Sequence, residues 1–125
     1  MSQQRSLEQE RASYAWDCIS KVDSNHKQKY CQAVRGSMAD IQINGLGQAL
    51  AFWSAKERKP SEAHYKTLND HVSTWVMKRI KPSETQPLLE WITKDANIQE
   101  YRRATSEAMA FLSWLSRFAE AELKD

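Results

Sequence analysis

The chain has 125 residues, with 18 lysines and arginines against 16 aspartates and glutamates, three glycines, three prolines and five tryptophans. That length fits one domain with a modest core, and the scarcity of Gly and Pro predicts an all-α protein, a compact bundle of five to six helices over 1–125 with residues 1–5 as a flexible N-terminus. A formal charge of +2 excludes a strong whole-molecule field, and no apolar run approaches the length that crosses a bilayer.

Ser6 followed by Gln9 offers N-cap chemistry, and Leu7, Tyr14, Ala15, Cys18 and Val22 then recur at three- and four-residue steps, predicting a first helix over 6–23. Arg11 falls on the same stripe where a Leu is expected, so it must reach water or meet a carboxylate. After the turn cluster Asp23-Ser24-Asn25, a second helix is predicted over 26–42, with Tyr30, Cys31, Val34, Met38 and Ile41 on one face. It ends at Asn44-Gly45, where Gly tolerates a positive φ. Leu46, Ala49, Leu50, Phe52 and Trp53 predict a short third helix that is apolar on most sides and therefore central. Pro60 breaks the pattern, and Ser61 is a candidate cap for a fourth helix over 62–80. That helix is expected to turn Tyr65, Leu68, Val72, Trp75, Val76 and Ile80 inward and Lys66, Asp70, Ser73, Thr74, Met77 and Lys78 outward. A short fifth helix is predicted around Leu88, Leu89, Trp91 and Ile92, with Pro87 in its first turn. The longest element runs from Ile98 to Leu123, and Tyr101, Ala104, Ala108, Phe111, Leu112, Leu115, Phe118 and Ala119 give it the clearest amphipathic stripe.

The residue types of catalytic and metal sites are present but not in useful patterns. His64 and His71 are two helical turns apart, about 10 Å along an axis, too far to share one ion. They are expected at the surface, and no metal or cofactor is expected. Cys18 and Cys31, the only cysteines, follow no signal-peptide-like segment and read as reduced thiols of a cytoplasmic protein. His26 and Cys31, five residues apart on one predicted helix, point in different directions and make no dyad. Asn44-Gly45-Leu46-Gly47 lacks both the Lys-Ser/Thr and the preceding strand of a phosphate loop, and reads as a tight helix-helix corner. No catalytic residue is assigned. The basic residues do cluster: Lys56, Arg58 and Lys59 in a loop, Lys78, Arg79 and Lys81 at the end of the fourth helix, and Arg102, Arg103 and Arg117 on the last. Such stripes suit backbone phosphates, which demand charge without base-specific geometry, although bases near helix C-termini also complement the macrodipole.

The run Asn44-Gly45-Leu46-Gly47-Gln48-Ala49-Leu50-Ala51-Phe52-Trp53 resembles the signature of the small helical subunit of the type III-B (Cmr) CRISPR effector complex. Leu7-Glu8-Gln9-Glu10-Arg11-Ala12 is similar to that family's opening helix, Tyr65 to Trp75 to its fourth, and Tyr101 to Ala108 with Phe111 to Ala121 to its last; Pro82 to Trp91 matches poorly. The resemblance implies a helical bundle that stacks in a few copies along the inner filament of an RNA-targeting, crRNA-guided antiviral complex. Its partners would be the backbone and large subunits, neighbouring copies of itself, and crRNA and target RNA, with cleavage left to other subunits.

Three functions follow as expectations. A structural subunit would contact RNA phosphates through the nine basic residues named above. A pure protein-protein adaptor would instead use Trp53, Met109 or Trp114 as apolar anchors. An enzyme would show nuclease activity dependent on His64 or His71.

Overall fold

The computed structural model describes residues 5–123. Six α-helices form around one core: α1 (Leu7–Ser20), α2 (Lys27–Asn44), α3 (Leu46–Lys56), α4 (His64–Ile80), α5 (Leu88–Lys94) and α6 (Ile98–Glu122), with 3₁₀ turns at Ser24–His26 and Pro60–Glu62 and no strand among the described residues. The expectation for residues 1–5 lies outside the described range, apart from the exposed Arg5, whose guanidinium donates to the Gln9 carbonyl at 3.4 Å.

Local chemistry sets the helix ends. Ser6 and Gln9 close a reciprocal capping box at the start of α1, and Asn97 and Glu100 do the same for α6. Each satisfies backbone donors that the first turn leaves open. Gly45 has a φ of 87°, so the α2–α3 corner turns through a backbone that L side chains rarely adopt. A Cβ at Gly47 would sit 3.1 Å from the Tyr101 hydroxyl. That hydroxyl accepts the Gly47 N–H at 2.8 Å, so α6 caps the otherwise uncapped start of α3.

α6 is the hub, packing on α1, α2 and α4, while α3 rests on α2, α4 and α5. Arg11 meets Glu107, and Trp16 meets Phe118, so α1 runs parallel to α6. α4 runs antiparallel to it, since Trp75 touches Glu107 and Phe111 while Ile80 lies beside Arg102 and Arg103. Where these three helices cross, Tyr14, Trp75 and Phe111 form a ring cluster with centroids 5.4–5.7 Å apart, each pair contributing about 0.5–1.5 kcal/mol beyond burial of its area.

Several expectations need correction. α3 is not central: its apolar composition covers two faces, and the outer one leaves Phe52 46% exposed. The fourth helix begins at His64 after a 3₁₀ turn and takes no cap from Ser61. Met77, expected outside, is buried, because α5 folds back against α4. The histidines are not surface groups either. His64 is buried, and burial lowers its pKa.

His71 is enclosed far enough that burial pulls its pKa down to about 4. Its Nδ1 lies 2.6 Å from the Tyr30 hydroxyl, which burial keeps in the protonated phenol form. The hydroxyl therefore donates to a neutral imidazole. The unfolded chain takes up the His71 proton near its ordinary value of 6.5 whereas the folded chain resists until about 4, so stability is full above 6.5 and falls as pH drops through that window. Unfolding free energies from urea titrations at pH 7 and pH 5 are expected to differ by about 2 kcal/mol in wild type. His71→Gln should remove most of the difference, and an equal loss in the variant would assign the pH dependence elsewhere.

Candidate nucleic-acid interface

The antiparallel pairing of α4 and α6 decides which basic residues meet. The last turn of α4 supplies Lys78 and Arg79, with Lys81 just beyond, and the first turns of α6 supply Arg102 and Arg103. Arg79, Arg102 and Arg103 line one groove of 380 Å³ together with Leu7, Arg11, Ile80, Ser106 and Glu107. Arg5, Lys78 and Arg79 border an adjoining depression of 330 Å³.

These cations differ in how far they are already neutralised. At the groove floor, Arg11 donates from Nε and Nη2 to both oxygens of the buried Glu107 at 2.7 and 2.8 Å and from Nη1 to Glu8 at 2.7 Å. The bond to Glu107 raises the Arg11 pKa most strongly. Burial alone would push the Glu107 carboxyl up, but the bonds from Arg11 and Trp75 reverse this and hold it below the ordinary value. Lys81 lies 2.9 Å from Glu100 and over the Trp91 ring. Arg79 reaches Glu10 only at 3.8 Å, with both side chains substantially exposed, so that pair is weak. Arg102, Arg103 and Lys78 are exposed and form no ion pair with a described residue. The groove thus presents exposed guanidinium groups, of which Arg102 and Arg103 have no contact ion pair with a described residue, above a floor where Arg11 is already held by two carboxylates.

The other predicted basic residues lie elsewhere. Lys56, Arg58 and Lys59 precede α4, whose 17 residues separate them from Arg79 by about 25 Å along the axis. Arg117 lies on a third surface with Glu8, Ser113 and Trp114. The nine residues therefore form a cluster of five, a cluster of three and an isolated arginine. A wider groove of 1040 Å³ between α4 and the 82–90 segment bears Glu57, Asp70, Glu84 and Glu90 against Lys78 and Lys94, a charge balance unsuited to phosphate.

The predicted apolar anchors are corrected in part. Trp53 is fully buried, because α3 turns it towards the core, and cannot be a surface anchor. Met109 is half-buried and packs against the core, so it does not sit on a solvated face. Trp114 is half-buried, donates from Nε1 to Glu8 at 3.1 Å, and continues through Phe118 to Trp16. Sequence reasoning passed over Trp16, 48% exposed, and assigned Phe52 only to the apolar third helix rather than to a surface. Trp16 could have been noticed one position beyond the stripe residue Ala15, where a large ring has no core to enter. Among the described residues, no three His, Cys, Asp or Glu side chains gather as a metal-binding group, and no helix is long and apolar enough to cross a membrane.

The match to known proteins agrees with this helical body at nearly full length. Residues 7–122 match the family model described as CRISPR-associated protein (Cas_Cmr5), from the first residue of α1 to the last of α6. The chain therefore belongs to the Cas_Cmr5 family, the small subunits of type III-B CRISPR systems.

Proposed function

We propose that this small subunit is a non-catalytic structural component that stacks along the inner filament of its complex, beside the backbone and large subunits and neighbouring copies of itself. In this reading it lines the groove for the crRNA–target RNA duplex and holds the RNA by its phosphates. One observation carries the reading: Arg79, Arg102 and Arg103, from helices distant in sequence, converge on one groove, and Arg102 and Arg103 have no ion-pair partner among the described residues. Unpaired guanidinium groups suit phosphate oxygens, and duplex RNA is recognised largely through shape and backbone contacts. Lys78 and Lys81 flank this contact, and Lys56, Arg58 and Lys59 offer a second one.

The test is target-RNA retention by complexes assembled with wild-type subunit or with Arg79→Glu, Arg102→Glu and Arg103→Glu combined. Retention is expected to weaken at least tenfold, and the slope of log affinity against log salt to fall by about 0.7–0.9 for each phosphate no longer held. Unchanged affinity and slope would remove these arginines from the RNA path. A second reading, an adaptor without RNA contact, is favoured by the ring ladder that runs from the exposed Trp16 through the half-buried Phe118 to the half-buried Trp114. It gains ground if Trp114→Ala blocks assembly while the arginine variant retains RNA normally.

A further inference from the structure

The corner at the opposite end of α4 from the arginine groove has different chemistry. Phe52, on the outer face of α3, is 46% exposed. The Tyr65 ring meets it nearly perpendicular, at 82° and 6.0 Å between centroids. Tyr65 is itself backed by the buried His64 at 4.6 Å, which limits how far it can swing. The Lys56 ammonium stands over the Phe52 ring, 5.4 Å from its centroid, and Arg58 and Lys59 follow in the exposed turn. None of these three cations forms an ion pair with a described residue.

An accessible aromatic surface fringed by unneutralised cations is suited to nucleotides whose bases are free to stack. Every base has a π-face, and its flanking phosphates take the charge. We propose that this corner holds an unpaired stretch of RNA, with Phe52 and Tyr65 as the platform for a base and Lys56, Arg58 and Lys59 on the adjoining phosphates. This rests on the reading that the subunit contacts RNA, and deepens it by assigning two surfaces to two forms of the polymer. The arginine groove exposes no aromatic ring, so it grips phosphates whether or not the bases are paired. The Phe52 corner rewards only bases that have left a helix, because in a duplex the π-faces are already covered. The acids of this chain nearest the corner leave the cations open to phosphate: Glu57 forms no ion pair with a described residue, and Glu62 and Asp40 act on Tyr65.

The experiment uses the purified full chain with fluorescent oligouridine and with an RNA duplex of equal length, following anisotropy across a salt series. Phe52→Ala is expected to weaken oligouridine binding about tenfold, leaving the salt slope and the duplex affinity unchanged, and Phe52→Trp to restore it. Lys56→Glu with Lys59→Glu should lower the oligouridine salt slope. Arg102→Glu with Arg103→Glu should weaken both ligands. If duplex binding depends on the arginines but Phe52→Ala binds oligouridine like wild type, the inference falls alone. If the wild-type chain binds neither ligand, the phosphate-contact reading falls with it. Loss of assembly in Phe52→Ala with unchanged oligouridine binding would make the corner a protein contact and overturn the inference.

Discussion

Glu107→Ala is expected to destabilise the bundle by about 3 kcal/mol, read as a lower urea midpoint at unchanged slope. Its carboxylate accepts two bonds from Arg11 and, at 2.8 Å, the Trp75 indole N–H. Truncation strands a largely enclosed guanidinium and a buried donor together, and an unpaired buried charge costs more than the pair itself contributes. The figure sits at the low end for a broken buried pair because Arg11 keeps Glu8 and is 16% exposed. Glu107→Gln keeps an acceptor and should cost less. The carboxyl's pKa is lower folded than unfolded, so its contribution is complete above about 4.5, its ordinary value, and is lost as pH falls through the folded value. Glu107→Gln is therefore expected to flatten the stability profile below pH 4.5 while leaving the His71 slope above it. A loss under 1 kcal/mol for the alanine variant would show that the network closes over without its centre.

Trp53→Ala is expected to cost about 3–5 kcal/mol, because it opens a cavity under α3 at one of the largest fully buried side chains. The same substitution separates a core role from an anchor role. A core residue loses stability in the isolated chain, whereas an anchor leaves the isolated chain intact and fails only in assembly. The Trp53 Nε1 is buried without a hydrogen-bond partner among the described residues. Trp53→Phe removes that donor and keeps most of the volume, so it should cost less than half as much. Equal midpoints for Trp53→Ala and wild type would return the residue to the surface.

How much of this was legible in the sequence depended on whether the deciding interaction was local. The α6 stripe, the Ser6 cap and the Asn44-Gly45 corner follow from helical period and backbone chemistry within a few residues, and each appears where expected. Arg11 was legible as a problem, since a cation on an apolar stripe must reach water or meet a carboxylate. Its partner was not, because Glu107 lies 96 residues away and reads locally as another solvated acid. Met77 and the histidines were misplaced for a related reason: exposure was judged from one helix alone, while α5 covers Met77 and Tyr30 of α2 reaches His71. The basic clusters were visible, but their division into two ends and an isolated Arg117 required the direction in which α4 lies against α6.

The position of α6 also governs when the protein can first become itself. The element against which α1, α2 and α4 all pack is made after all three, so a chain emerging from the ribosome carries those helices for a time without the surface that shelters them. Arg11 must wait for Glu107, and Gly47 must wait for Tyr101. Without the residues from Ile98 onward, α2, α3, α4 and α5 still have one another to pack on, but α1 loses its main neighbour, so the opening helix is the one most exposed until α6 arrives.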